Sequence, residues 1–184
     1  MKIMKTAIKG LFTAACIALA INTTHAQTNP QVASDNPATY DQGFKLGFGL
    51  SGGYVFEDGY GAAVGADARL QYNFSKRNSL TITTGYTHLF VDGDGDDLGF
   101  IPAKAGFKGF VWGDTFYLQG ELGAAIPVTA DYDDTSLIFA PGVGYATKHL
   151  DLSLRYEFYN KFRDANGEKG IGQLAARIAY GFDL

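Results

Sequence analysis

The feature that most constrains this chain is an alternation of side chains with a period of two, which runs from about Gln42 to the C-terminus. Read as eight segments, one parity class covers 47 positions and holds no Asp, Glu, Lys or Arg, whereas the other covers 39 positions and holds eleven. Successive side chains of a β-strand point to opposite faces, so this period predicts strands and not helices. The predicted strands span 44–54, 62–74, 80–90, 101–111, 116–126, 137–145, 150–158 and 174–184.

The polar face has the composition of a narrow barrel's interior. It carries ten glycines, and its charges nearly cancel, as charges that must find partners away from water would require. The apolar face carries aromatic residues near the segment ends, as expected for girdles at two membrane interfaces. These aromatic residues are Phe44, Tyr54, Tyr60, Phe74, Phe90, Phe116, Phe158 and Phe182. We therefore predict an all-β, eight-stranded antiparallel up-and-down transmembrane β-barrel. An alternative is a soluble periplasmic ligand-binding barrel, in which the two faces exchange places.

The connections between the segments alternate in length. Those after the second, fourth and sixth strands are short (75–78, 112–115 and 147–149), and the others are mostly longer (57–59, 91–99, 127–136 and 159–172). This asymmetry is typical of barrels with short periplasmic turns and longer external loops. One misfit is Pro141, which cannot donate a ladder hydrogen bond in the sixth strand, so we expect a bulge or local bend there.

The first 26 residues read as a secretory signal peptide. Lys2, Lys5 and Lys9 precede an apolar stretch at 11–21, and Thr24-His25-Ala26 offers a small-x-small cleavage site. A membrane anchor and lipid attachment at Cys16 are the alternatives. Removing 26 of 184 residues leaves 158, with 12 basic and 19 acidic side chains and no cysteine. An acidic chain without a basic stripe gives no reason to expect nucleic-acid binding.

The domain organisation follows from these segments. Residues 1–26 are predicted to be the signal peptide, 27–40 a flexible periplasmic segment with Pro30 and Pro37, and 41–184 the barrel domain. The barrel is expected in the outer membrane of a bacterium.

Three stretches carry a resemblance to a known family. Ile101-Pro102-Ala103-Lys104-Ala105-Gly106, Leu152-Ser153-Leu154-Arg155-Tyr156 and Ala176-Arg177-Ile178-Ala179-Tyr180-Gly181-Phe182 resemble the small outer-membrane β-barrel domain family, of the OmpX and OmpA type. The resemblance covers about residues 40–184. It implies contact with outer-membrane lipid and lipopolysaccharide, and insertion by the barrel-insertion machinery, which reads a terminal aromatic residue. This chain departs from that pattern because it ends Phe182-Asp183-Leu184.

Two further features could carry chemistry. His88 is predicted on the lipid face near the outer rim, with no Ser or carboxylate placed to work with it, so we expect a girdle residue and no catalysis. The external segments at 92–97 and 131–134 are rich in aspartate and could hold divalent cations that bridge lipopolysaccharide phosphates. These aspartates are Asp92, Asp94, Asp96, Asp97, Asp131, Asp133 and Asp134. No cofactor is expected.

The lumen charges are the principal candidate site. Neighbouring strands place Lys104 and Lys108 beside Glu121, and Arg155 and Glu157 beside Arg177. We interpret them, with Asp67 and Arg69, as a salt-bridged network that fills the lumen and fixes strand register. The expected function is a structural or surface-interaction outer-membrane protein. The alternatives are a narrow transporter or receptor, in which the same charges line an ion path, and a lipid-modifying enzyme.

Overall fold

The computed structural model describes residues 43–91, 97–112, 114–129, 134–163 and 167–184. Eight strands are found, in the predicted order. They are β1 (Gly43–Val55), β2 (Tyr60–Asn73), β3 (Asn78–Val91), β4 (Leu98–Trp112), β5 (Phe116–Pro127), β6 (Ser136–Ala146), β7 (Leu150–Arg163) and β8 (Lys169–Asp183). The predicted signal peptide and the segment 27–40 lie outside the described residues. Within the described residues, no helix is both long and apolar enough to cross a membrane.

The eight strands form a closed barrel. Each strand pairs antiparallel with the next, and β1 also pairs with β8, from Lys45 opposite Asp183 to Val55 opposite Gln173. Closure pairs both sides of every strand, so the sheet presents no free edge to a neighbouring chain. The predicted fold class is confirmed.

The apolar parity class forms the outside of the barrel. Leu50, Ile82 and Leu122 are 63–65% exposed, whereas Arg69 and Glu121 are 3% and 1% exposed. A soluble barrel would bury the first group and expose the second. The inside-out alternative is therefore wrong, and the exterior is a surface for hydrocarbon.

Aromatic side chains form belts at the two ends of this exterior. At the end with the connections 74–77, 113–115 and 147–149, which we call the short-turn end, Phe116 packs edge-on against Tyr145 with ring centroids 5.0 Å apart. At the opposite, long-loop end, Tyr54 contacts Phe56 at 5.8 Å. Tyr60 does not belong to a belt as predicted, because it is 5% exposed and points into the lumen. A register shift between Tyr60 and Ala63 accounts for this inversion.

Strands β7 and β8 extend further than the alternation predicts. Their connection is 164–168, whereas the sequence pattern placed it at 159–172. The irregularity between Tyr159 and Arg163 changes which alternate side chains face the lumen, so this stretch does not follow the period of two. The strands are 11–15 residues long, and about 9–11 residues cross a bilayer, so the barrel wall exceeds the membrane thickness.

Pro141 does not introduce the predicted bulge. The β6–β7 register is the same on both sides of it, with Phe139 opposite Phe158 and Gly142 opposite Arg155, but the ladder lapses at the two residues between them. The missing N–H thus interrupts pairing with β7 and inserts no extra residue.

Glycine is required at positions where the backbone of a neighbouring strand approaches closely. A Cβ atom added at Gly85 would lie 2.1 Å from the Ala66 carbonyl oxygen, and one at Gly123 would lie 2.0 Å from that of Ala103. Both residues face the lumen, where an eight-stranded barrel has the least room.

Candidate functional site

The structure brings all eight predicted lumen residues into the interior of the barrel. The cationic side chains of Arg69, Lys104, Lys108, Arg155 and Arg177 and the carboxylates of Asp67, Glu121 and Glu157 are all nine-tenths or more buried. Alternation along each strand places these side chains inward. The register of the strands then determines which of them meet.

Glu157 is the centre of the group of charges that lies nearer the long-loop end. Lys104 Nζ lies 2.7 Å from Glu157 Oε1, and Arg155 Nε lies 2.8 Å from the same atom. The hydroxyl of Tyr159 donates to Glu157 Oε2 at 2.6 Å. A buried carboxylate with three partners is well compensated for the loss of water.

Glu121 joins this group from the other side of the lumen. Arg69 Nη2 donates to Glu121 Oε1 at 2.9 Å, and Lys104 Nζ lies 3.6 Å from Glu121 Oε2. Arg69 also donates to Thr83 and Gln119, at 3.0 and 3.3 Å. Strands β2, β3, β4 and β5 are thereby tied to one guanidinium–carboxylate pair.

A second group lies nearer the short-turn end. Lys108 Nζ donates to Asp151 Oδ2 at 2.5 Å and lies 3.9 Å from the centroid of the Tyr117 ring. The Tyr117 hydroxyl donates to Asp151 Oδ1 at 2.6 Å. Gly144 makes room for this ring, because a Cβ there would lie 2.2 Å from Tyr117 Cζ.

Two of the pairings proposed from the sequence are wrong. Lys108 pairs with Asp151 and not with Glu121, and Arg177 pairs with Asp67 and not with the Arg155–Glu157 group. Neighbouring strands bring side chains together only along the wall. The observed pairs cross the lumen, from β4 to β7 and from β8 past β1 to β2, because long side chains reach across a barrel of this size.

The lumen at the long-loop end is apolar. Phe100, Tyr159 and Phe162 pack with ring centroids 5.2–5.4 Å apart. Leu89 and Leu98 belong to the same cluster, and every member is nine-tenths or more buried. The cluster therefore closes the interior above Glu157. The remaining members are Val55, Tyr60, Ala63, Ala125, Ile138, Ala140 and Ile171.

A hydrogen-bonded chain that the sequence reading missed lies on the outer wall at the long-loop end. Asp97 Oδ2 lies 3.0 Å from His88 Nε2, and His88 Nδ1 lies 3.2 Å from the Tyr86 hydroxyl. Asp97 Oδ1 accepts the Val91 N–H at 2.9 Å. The Val91 N–H and then the His88 ring lower the pKa of the Asp97 carboxyl below its ordinary value. The expectation that no carboxylate stands beside His88 is therefore wrong.

The aspartate-rich external segments are only partly described. Asp92, Asp94, Asp96, Asp131 and Asp133 lie outside the described residues. Among the residues that the structure does describe, no group of three or more His, Cys, Asp or Glu side chains is arranged to hold a metal ion.

Known structures share this architecture. A structure entitled "De novo design of transmembrane beta-barrels" is 18% identical and has a TM-score of 0.52, with 78% of this chain and 99% of that chain covered. The N-terminal β-barrel domain of Pseudomonas aeruginosa OprF is 13% identical, with a TM-score of 0.51 and coverage of 75% and 97%. Ail, the attachment invasion locus protein of Yersinia pestis, is 19% identical, with a TM-score of 0.51 and coverage of 77% and 100%.

No protein-family model and no curated protein sequence matches this chain. The similarity to solved structures therefore concerns the fold. By fold, the chain is a small eight-stranded β-barrel of the bacterial outer-membrane type.

Proposed function

We propose that the protein is a non-catalytic outer-membrane barrel that contributes to envelope structure and contacts molecules through its long-loop end. The observation that carries this proposal is the filled lumen. Ion pairs cross it between β4 and β7 and between β2 and β5, and the apolar cluster occupies the interior above them. Such an interior supports a closed wall and disfavours a path for ions or solutes.

Planar-bilayer recording tests the closed lumen. We expect the refolded barrel to insert without steady conductance. A sustained current that changes in Glu121→Ala, with Asp114→Asn as a control at an exposed turn, would instead support the narrow transporter. Asp114 belongs to an exposed pair with Arg77, 3.4 Å apart, so this control leaves the lumen charges unchanged.

Fractionation tests the location. We expect the protein in the outer-membrane fraction, with a gel mobility that changes on heating, because a folded barrel runs differently from its unfolded chain. A protein that stays folded and monodisperse without detergent would contradict the proposal, since the exposed apolar belt requires a hydrophobic medium.

We propose that the Asp97–His88–Tyr86 chain is not catalytic. The imidazole is oriented by a carboxylate, as in hydrolases, but its other nitrogen faces a phenol and not a serine or thiol. We therefore assign it a role in anchoring the start of β4 at the membrane rim. Mass spectra of membrane lipids from cells that make the wild type or His88→Ala should be identical. Loss of an acyl chain only with the wild type would show enzymatic activity.

The proposed surroundings of the barrel are outer-membrane lipid and lipopolysaccharide, reached after insertion by the barrel-insertion machinery. Aspartate side chains in the external segments would bind divalent cations that bridge lipid phosphates. Calorimetry with calcium and magnesium should show binding heat, which is reduced when Asp92, Asp94 and Asp96 are replaced by Asn. Absence of heat, with unchanged melting, would rule out this part of the proposal.

A further inference from the structure

A small cavity lies inside the barrel at the short-turn end. Its volume is about 50 Å³, which is room for a small inorganic ion or one to a few waters. Its lining comes from β1, β2, β4, β7 and β8, from the end of β6 and from the turn between β6 and β7. The charged and amide residues of this lining are Lys45, Arg69, Gln71, Lys108, Lys148, Asp151 and Arg177.

The cavity wall is more positive than the network around it. Two of the lining cations have partners that do not line the cavity, since Arg69 pairs with Glu121 and Arg177 pairs with Asp67. Lys45 pairs with Asp183, 3.3 Å away, which also lies outside the lining. Asp151 is the carboxylate that the described lining contributes. An anion in the cavity would thus meet mainly cationic groups.

Asp151 is itself heavily engaged. It accepts from Lys108 and from the Tyr117 hydroxyl, at 2.5 and 2.6 Å. Arg177 Nη1 lies 4.0 Å from Asp151 Oδ1, which is too far for a hydrogen bond. Arg177 holds Asp67 through Nε and Nη2, and its Nη1 lies on the side of Asp151, which also lines the cavity.

The charged side chains along the described lumen do not balance. There are five cations and four carboxylates, which leaves one positive charge in excess, and the Lys45–Asp183 pair at the rim adds none. The cations are Arg69, Lys104, Lys108, Arg155 and Arg177, and the carboxylates are Asp67, Glu121, Asp151 and Glu157. An uncompensated charge in a low-dielectric interior is costly, so the lumen favours a monovalent counter-ion.

We propose that this cavity binds a small monovalent anion of halide size, which completes the charge balance of the lumen. The volume excludes large organic anions, and the single excess charge matches one monovalent ion. This site is separate from the wall and loop functions proposed above, and it does not depend on them.

The test uses bromide, which scatters anomalously and can replace chloride. Crystals of the refolded barrel grown in sodium bromide should show an anomalous peak among Arg69, Lys108 and Arg177. In solution, exchange of chloride for gluconate at constant ionic strength should lower the melting temperature, because gluconate is too large for the cavity. Absence of the peak, or equal melting in both salts, would overturn the proposal.

Gln71 offers a matched pair of variants. Its amide oxygen accepts from Lys108 Nζ at 3.2 Å. Gln71→Glu places a built-in negative charge at the same position, so the bromide peak and the salt effect on melting should both be lost. Gln71→Leu has a similar size without the charge, so both should persist. A bromide peak of equal height in Gln71→Glu would overturn the proposal.

If Gln71→Glu does not fold, as shown by a loss of heat-modifiable gel mobility, Lys108→Met provides an independent test of the site. This substitution removes one lumen cation and thereby cancels the excess charge. The bromide peak should disappear in a folded Lys108→Met barrel. Its persistence would show that the anion is not held by the charge balance, and would reject the site as proposed.

Discussion

The two halves of the lumen solve the problem of filling a narrow barrel in different ways. Near the long-loop end, Leu89, Phe100 and Tyr159 pack as an ordinary apolar core. Below them, Glu157 and Asp151 collect charged partners from across the barrel. Apolar packing is non-directional and tolerates small shifts in geometry, whereas buried ion pairs require particular partners at particular distances. The lower half therefore specifies the register, and the upper half adds burial.

The two halves of the lumen also differ in their position relative to the membrane. The strands exceed the length that a bilayer requires, and the excess lies in part at the long-loop end, where β7 and β8 continue to Arg163 and Lys169. A wall that leaves the hydrocarbon can enclose a core like that of a soluble protein. The charged half lies behind the apolar exterior belt. There the strands face hydrocarbon, so removal of apolar surface from water does not hold them together, and the ion pairs connect them.

The largest expected effect comes from breaking the charged half at its centre. Glu157→Gln removes the carboxylate while Lys104 and Arg155 stay buried, and we expect a loss of about 3–5 kcal/mol of unfolding free energy. Urea titration in detergent, followed by heat-modifiable gel mobility, measures it. Asp114→Asn, at the exposed turn pair with Arg77, should cost about 1 kcal/mol or less. Equal losses in the two variants would contradict a special role for the buried cluster.

A smaller effect is expected from the apolar half. Leu89→Ala leaves a cavity among fully buried side chains and should cost about 2–5 kcal/mol. Ile138→Val, in the same cluster, should cost about 0.5–1.5 kcal/mol because it removes one methylene group. The same urea assay applies to both variants. A Leu89→Ala barrel as stable as the wild type would show that this end of the lumen is not closely packed.

A still smaller effect is expected from removing one hydrogen bond in the charged half. Tyr117→Phe keeps the ring over Lys108 but removes the donor to Asp151, and hydrogen bonds to charged groups contribute about 1.5–3 kcal/mol. We expect a loss near the lower end of that range, since Lys108 still holds Asp151. If Tyr117→Phe is neutral in the urea assay, the carboxylate is satisfied by Lys108 alone.

Parity was sufficient to predict the fold and the inward direction of the lumen charges. A period of two with all charges in one class leaves few alternatives, and the exposure of Leu50 against the burial of Arg69 agrees with it. Parity failed where a bulge shifts it, as between Tyr159 and Arg163. It placed Leu89 and Ile138 inward, but it could not show the apolar cluster that they join, because Phe100, Tyr159 and Phe162 lie outside the predicted strands.

The partners within the lumen could not be predicted for a geometric reason. Lys108 and Asp151 lie on β4 and β7, and their meeting depends on strand stagger and side-chain reach, which one-strand neighbour rules do not contain. The contact of His88 with Asp97 depends on how the chain between β3 and β4 returns to the wall. Sequence spacing alone is consistent with many such returns.

The smallest predicted effect lies at the rim, outside both halves of the lumen. The pKa of Asp97 is lowered by the Val91 N–H first and by His88 second, so the folded state favours the charged carboxylate. The resulting stabilisation is present above the ordinary pKa of an aspartate and is lost as pH falls through the lower folded value. Carboxyl NMR titration should therefore give a midpoint below the ordinary one. In His88→Ala this midpoint should rise only partly, because the Val91 N–H remains. A full return to the ordinary value would make His88 the dominant partner and would transfer control of the start of β4 from the backbone to the ring.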